Sequence, residues 1–348
     1  MKRAFVTGAS GFIGSAVVRA LLADSVEVRA LIREGADAIT LEGLDVETVT
    51  GDLNDVRALA RGLVGCDVCF HVAGMNRLWL RDRREVKEIY EVNDRGAERV
   101  LRIAADAGCE RIVHTSSVAI IGKAPAGRHA NEEDQADESD FSVHYQRSKL
   151  AGERRAFKLA EGGAPVVIVN PSAPMGPFDV KPTPTGRVVL DFLRRKMPGY
   201  METGLNVIDV DDCARGHILA AEKGVVGQRY ILGHENLSIL EIFLKLARIT
   251  GLKPPGFKVP RIVALMAAFA SEVGARFTGR PPRVPLAGVR MAMEPMYYDN
   301  TKALEQLGLP TRPVEETLRR AAEWFIEHGY AEKPPAWKDG LERMKAEG

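Results

Sequence analysis

The chain has 348 residues, enough for one large domain or two closely joined ones. Its 48 Lys and Arg against 47 Asp and Glu leave a formal net charge of +1 with both signs interspersed, which excludes a nucleic-acid partner. No apolar run reaches the roughly 18 residues a membrane span needs, the N-terminus lacks the regions of a secretory signal, and Cys66, Cys69, Cys109 and Cys213 match no disulfide or zinc pattern. A cytoplasmic location without a metal site is expected. Cys66 and Cys69 share the spacing of a redox pair, but the apolar run 65–74 reads as a strand, where buried thiols are the expectation.

In chain order, residues 3–7 read as a strand and 13–23 as an amphipathic helix. Between them lies Val6-Thr7-Gly8-Ala9-Ser10-Gly11-Phe12-Ile13-Gly14. A strand, a glycine turn and a helix form a dinucleotide-phosphate loop: glycines let the backbone approach a pyrophosphate, and the helix aims free N–H groups at it. Further strands are expected at 26–32, 46–51, 68–72, 111–116 and 166–170, with helices at 56–63, 85–107 and 143–161. This alternation predicts an α/β protein: a Rossmann-type doubly wound parallel sheet. The acidic stretch 132–140 reads as a solvated loop.

After residue 170 the alternation stops. A Pro- and Gly-rich segment, 171–185, precedes a helix at 187–195, short strands at 207–210 and 229–232, a helix at 239–250 and a breaker at 254–260. The apolar run 262–277 reads as core, with a lid or a peripheral membrane contact as the other readings. Helices at 301–307 and 313–328 follow. The expected organisation is a nucleotide-binding domain over 1–170, to which 206–228 and part of the C-terminal helices return. A smaller C-terminal substrate lobe covers mainly 171–330, and 331–348 form a polar tail.

Two further constellations carry chemistry. Tyr145 and Lys149 stand four residues apart, on one face of a helix. A neighbouring ammonium favours the phenolate, so Lys149 is expected to bring the Tyr145 pKa down from its usual value of about 10. Thr115-Ser116-Ser117 ends the fifth strand, where a hydroxyl can donate to a substrate carbonyl. His71, His114, His144 and His217 read as core or surface histidines.

The glycine turn, Thr115-Ser116-Ser117 and Tyr145-Gln146-Arg147-Ser148-Lys149, in this order, resemble the short-chain dehydrogenase/reductase superfamily, and the length and C-terminal lobe its extended branch, the NAD-dependent epimerases and dehydratases. The resemblance implies Ser117, Tyr145 and Lys149 as the catalytic set, with Tyr145 and Lys149 also touching the cofactor. It implies Gly8, Ser10, Gly11, Phe12, Ile13 and Gly14 around the pyrophosphate. Asp52 and Leu53 match an adenine contact, Val72, Ala73 and Gly74 the loop after the fourth strand, and Asn93, Pro171 and Ser172 further cofactor contacts. Val28-Arg29-Ala30-Leu31-Ile32-Arg33 and Phe70-His71-Val72-Ala73 resemble dihydroflavonol reductases. Arg77-Leu78-Trp79, 181–186, Thr203-Gly204-Leu205-Asn206 and Tyr230-Ile231-Leu232-Gly233 resemble the bacterial group called hopanoid-associated sugar epimerases.

Cofactor preference is read at the end of the second strand. An acidic residue there bonds a ribose 2′-hydroxyl, and an arginine pairs a 2′-phosphate. Arg33 points to NADP, with NAD as the other option. Trp79, Leu80, Met197, Tyr200, Met201, Met291, Met293 and Met296 read as core or as the lining of a pocket for a hydrophobic compound. The expected function is hydride transfer between nicotinamide and a carbonyl or carbinol carbon of a small or hydrophobic substrate. The alternative is a sugar (nucleotide) epimerase with tightly held NAD. Nucleotide-sugar epimerases carry an arginine for the diphosphate where this chain has Leu205, which favours the reductase. Pairing of 85–107 and 143–161 across a two-fold axis would give a homodimer.

Overall fold

Runs such as Ala4-Phe5-Val6 cannot leave either face in water, so they fold into parallel strands covered on both sides. The structure is a computed structural model and describes residues 1–335 and 337. Its first half runs β1 (Arg3–Thr7), α1 (Phe12–Ala23), β2 (Glu27–Ile32), β3 (Glu47–Thr50), α2 (Val56–Leu63), β4 (Val68–His71), α3 (Arg83–Tyr90), α4 (Ala97–Asp106), β5 (Arg111–Thr115), α5 (His144–Glu161) and β6 (Val166–Pro171). The second half runs β7 (Ala173–Met175), α6 (Pro184–Leu193), β8 (Gly199–Tyr200), β9 (Gly204–Asp209), α7 (Val210–Lys223), β10 (Arg229–Leu232), β11 (Glu235–Ser238), α8 (Ile239–Thr250), β12 (Phe257–Lys258), α9 (Arg261–Thr278), α10 (Leu286–Met291), α11 (Thr301–Leu307) and α12 (Val314–Glu327).

Among the described residues the main sheet has seven strands in the order β10-β6-β5-β4-β1-β2-β3, with every neighbouring pair parallel. The order reverses between β1 and β4, which opens a crevice at their C-terminal ends. One face is covered by α1, α7 and α11, the other by α2, α4 and α5. A second core, around Phe192, Phe243, Leu246, Leu318 and Phe325, joins α6, α8 and α12 against β9. A three-stranded sheet, β11-β9-β7, links it to the crevice.

Four features differ from the sequence reading. The strand at 229–232 is the seventh strand of the main sheet and not part of the lobe, because all four of its residues are buried beside β6. Helix α7 gave no amphipathic signal because ten of its residues are buried; a helix enclosed on most sides shows no polar stripe. The helix expected over 85–107 is broken into α3 and α4 by a π-helical turn, Glu91–Gly96. There α5 approaches so closely that a Cβ on Gly152 would lie 2.0 Å from the Asn93 carbonyl oxygen. Finally, Trp337 is buried in the second core, whereas residues 336 and 338–348 of the expected polar tail lie outside the described residues.

The acidic stretch is also less solvated than its composition implies. Glu132 is half-buried and accepts the Ile231 backbone N–H at 2.7 Å, which blunts the open edge of β10. Arg229 donates to the Glu132 and Asp134 carbonyls at 2.9 and 3.0 Å, and to the Glu153 carboxylate of α5 at 2.8 Å. Both members of the Arg229–Glu153 pair are buried. Removing one partner strands the other charge without water, at a cost of about 3–5 kcal/mol. Arg229→Ala should therefore lower the unfolding free energy by that amount, read as a lower urea midpoint with an unchanged slope, and Arg229→Met combined with Glu153→Leu should recover much of the loss.

Candidate active site

The crevice is built from backbone first. Gly8 follows β1 with φ of +71°, a conformation that L side chains rarely adopt, and a Cβ there would sit 2.6 Å from the Ala73 nitrogen. A Cβ on Gly14 would lie 2.0 Å from the Gly8 carbonyl oxygen. The turns after β1 and β4 therefore touch, and the first turn of α1 rests directly on the loop. Gly11 is the N-cap of α1; no side chain caps it, and the first turn carries no acidic residue. The first N–H groups of the helix, at Phe12 and Ile13, and its positive dipole end are left for an anion. Thr40 donates to the Ser10 carbonyl at 3.2 Å and steadies the loop from outside.

Just past the end of β2, two residues beyond the Leu31 that pairs with Thr7, Arg33 is exposed and has no ion pair among the described residues. Asp52 is exposed, and its carboxylate accepts the Asn54 and Asp55 N–H groups at 2.7 and 3.1 Å, shaping its own turn. Leu53 packs on the core below. Val72 and Ala73 are half-buried along the crevice, and a Cβ on Gly74 would lie 3.3 Å from the Lys149 ammonium. Asn93, expected as a cofactor contact, is engaged by the protein instead. Its amide donates to the Met75 carbonyl and to Ser148 Oγ, both at 3.0 Å, and its oxygen accepts the Met75 N–H at 2.7 Å. It ties the strip after β4 to α5. Pro171 is buried at the end of β6; Ser172 donates its N–H to the Leu232 carbonyl at 3.0 Å, and its buried Oγ has no partner among the described residues.

Helix α5 brings one face to this crevice. The Tyr145 phenol lies near Ser117, whose hydroxyl influences its titration. Lys149 is buried and donates to the Thr115 carbonyl at 2.7 Å. Burial pushes the Tyr145 phenol above its usual value, opposed by the Ser117 hydroxyl. This is a correction to the direction expected from Lys149: within the protein, desolvation outweighs any help from the ammonium. Burial also brings Lys149 down to about 8, opposed by the Glu153 carboxylate.

Sequence reasoning missed the support under these groups. Glu153 continues the Tyr145–Lys149 face by another four residues, a spacing that was available as a signal. Its carboxylate accepts from Asn170 at 2.7 Å, and the same Asn170 amide donates to the Ser117 carbonyl at 3.1 Å. Asn170 and Glu153 thus hold the strand end that carries Ser117. Tyr298 was also missed; it packs with Val118, Ile121 and Met296, and the Tyr145 charge adds to the burial that raises its own phenol.

The histidines behave as core and surface residues. His217 Nδ1 donates to the Cys213 carbonyl at 2.7 Å, so Nε2 accepts the Thr115 hydroxyl at 3.1 Å, and burial brings this ring down to about 4. His71 and His114 stack at 5.4 Å, both held neutral by burial, while His144 is exposed. The described residues contain no cluster suited to a metal, and all four cysteines are buried and free. The apolar lobe residues split: Met197 and Tyr200 pack on the second core, Met201 on α9 and α10, and only Met296 packs beside Ser117's own loop.

An uncapped helix N-terminus, a glycine cradle and a buried ammonium beside Gly74 fit a dinucleotide. The NAD dependent epimerase/dehydratase family profile matches residues 4–233. The chain belongs to this family. It is 45% identical over 330 residues to the putative dihydroflavonol 4-reductase of Synechocystis sp., covering 94% of this chain and 95% of that protein. It is 33% identical to sterol demethylase protein B of Methylococcus capsulatus, covering 93% and 98%. The crystal structure of a nucleoside-diphosphate-sugar epimerase from Pseudomonas aeruginosa superposes with a TM-score of 0.79 at 26% identity, covering 95% of this chain and 99% of that one. The protein is an enzyme of this family, with an oxidoreductase or epimerase chemistry.

With Lys149 as a cofactor contact, as the resemblance implies, cofactor binding is expected to depend on pH. Its folded pKa is lowered to about 8, so the ammonium is present below that value and lost as the pH rises through it. Fluorescence titration with NADPH should show affinity falling above about pH 8, and Lys149→Met should bind weakly and lose that dependence.

Proposed function

We propose that the protein is an NADP(H)-preferring oxidoreductase of the extended short-chain type that interconverts a carbonyl and a carbinol on a small or hydrophobic substrate. The observation that carries this reading is the neighbouring Ser117 and Tyr145 hydroxyls with buried Lys149 one helical turn along α5, where the Lys149 ammonium approaches Gly74. The nicotinamide cofactor, when bound, supplies or accepts the hydride. Ser117 donates to the substrate oxygen and fixes it. Tyr145 gives that oxygen its proton in reduction and takes it back in oxidation; the raised pKa keeps the proton on the phenol until it is needed. Lys149 holds the ribose hydroxyls. The N-terminus of α1, with Gly8, Gly11 and Gly14, takes the pyrophosphate, and Val72, Ala73, Gly74, Pro171 and Ser172 border the nicotinamide half. Asn93 acts as a positioning residue through Met75.

Arg33 supports the NADP preference, since an exposed guanidinium without an ion pair among the described residues is available to a 2′-phosphate. Leu205 supports a reductase: it lies on β9, pairs with Met296 and packs on the second core, offering nothing to a diphosphate. The relatives named for dihydroflavonol reduction and sterol demethylation support a hydrophobic substrate. The second reading, an epimerase that keeps its NAD through an internal redox cycle, is favoured by the likeness to the nucleoside-diphosphate-sugar epimerase.

Release of the copurifying nucleotide, followed by exchange against NADPH and NADH, separates the two. A freely exchanging site that binds NADPH more tightly supports the reductase; near-stoichiometric NAD that does not exchange overturns it. Arg33→Ser should cut the NADPH preference by about tenfold or more, the worth of a charge-assisted hydrogen bond. Tyr145→Phe should retain NADPH binding and lose about 10²–10⁴-fold in turnover.

A further inference from the structure

Helix α9 is built inside out. Its buried positions are the small residues Ala264, Ala268 and Ala275, of which Ala264 and Ala268 pack against α10 and Met201. Its large apolar residues face outward: Ile262 is 64% exposed, Met266 66%, Phe269 62% and Phe277 87%. At about 100° per residue these four fall within roughly 80° of arc, a single stripe. A surface helix of a soluble protein shows the reverse pattern, and an exposed stripe of this kind marks an interaction site.

The charge around the stripe says what it meets. Between residues 252 and 292 stand Lys253, Lys258, Arg261, Arg276, Arg280, Arg283 and Arg290, against Glu272 as the one acidic residue. All seven cations are exposed, and among the described residues only Lys258 has an ion pair, with Glu202. Glu272 is turned inward and accepts the Leu286 N–H at 2.9 Å. The whole chain carries a net charge of only +1, so this excess is a local concentration and not a bulk property. Two copies meeting through this face would oppose cation to cation, because a two-fold interface repeats the same patch on both sides. An anionic lipid surface satisfies both features at once: apolar side chains enter the acyl boundary and the flanking guanidinium groups meet phosphates.

We infer that α9, with its basic surround, is a monotopic contact for an anionic bilayer. No described helix is long and apolar enough to cross a membrane, so α9 lies in the interface. The surface stands independently of the redox reading. Leu78, in the segment after β4, comes against Gly288 of α10, so the contact unit adjoins the strip that borders the crevice.

The test is flotation of the full chain with vesicles of phosphatidylcholine carrying about 30 mol % phosphatidylglycerol, against phosphatidylcholine alone. The wild type is expected to float with the anionic vesicles and to be released by about 0.5 M salt. Phe269→Glu with Phe277→Glu should lower partitioning by about tenfold or more, and Arg276→Glu with Arg280→Glu and Arg283→Glu should do the same through charge alone. NADPH titration of each variant, expected unchanged, shows that the fold is intact and keeps this outcome separate from the reading of the active site. A wild type that does not float, or folded variants that float equally well, overturns the inference. So does a wild-type dimer that these variants convert to monomers without any flotation.

Discussion

A carboxylate enclosed by protein, Glu153, sets the terms for the rest of the site. It lies on the face of α5 that carries Tyr145 and Lys149, and its two oxygens reach Arg229 on the edge strand and Asn170 on the neighbouring one. Through Asn170 it fixes the Ser117 backbone, and its negative charge opposes the loss of the Lys149 proton. Helix, strand end and edge strand are therefore locked together by groups that cannot be removed singly. A buried ion pair is a poor source of net stability compared with well-packed apolar residues. It does supply direction: hydrogen bonds to charged groups hold atoms in fixed places, as an acid–base pair requires.

A second constraint is steric. Where the turns after β1 and β4 meet, no side chain fits between them, and the same holds where α5 crosses the π-helical turn at Asn93. These contacts bring backbone N–H groups, the Lys149 ammonium and the Tyr145 phenol to one crevice. The widened turn is tolerated because Asn93 satisfies both backbone groups of Met75, and a π-turn at such a place is a common device of functional sites.

Much of this was legible in the sequence, for reasons that differ by element. The strands of the first half announce themselves because parallel strands buried on both faces read as unbroken apolar runs. The glycine turn is legible because its residues act locally. Tyr145 and Lys149 are legible because helical spacing is local too, and Ser117 because a strand end precedes it. What stayed hidden depends on distant partners: Arg229 is 76 positions from Glu153, and neither carries a local sign of the other. Helix α7 was hidden by its burial, and the edge role of Glu132 by its acidic neighbours. The outward stripe of α9 could not be told from core, since an apolar run has the same composition whether it faces protein or lipid.

On the proposed reading both chemistries open to this family would use Ser117, Tyr145 and Lys149, so the catalytic face does not separate them. The separation lies at the ends of the crevice. At the nucleotide end, Arg33 and Asp52 are both exposed, and the turn that follows is held by the Asp52 carboxylate and by Arg99, which donates to the Leu53 carbonyl and to Asn54 Oδ1, both at 2.8 Å. Under the proposed reductase reading, the exposed Arg33 is the group that would meet a 2′-phosphate here. At the substrate end, β9 presents Leu205 toward Met296 and the second core, with no cation on that strand from Gly204 to Asp209. A diphosphate would find no counter-charge there, whereas an apolar ring system would lose little by leaving water. Farther out the pattern divides: Val289 of α10 is buried with Leu286 against α9, whereas Ile262, Met266, Phe269 and Phe277 of α9 face solvent among exposed cations.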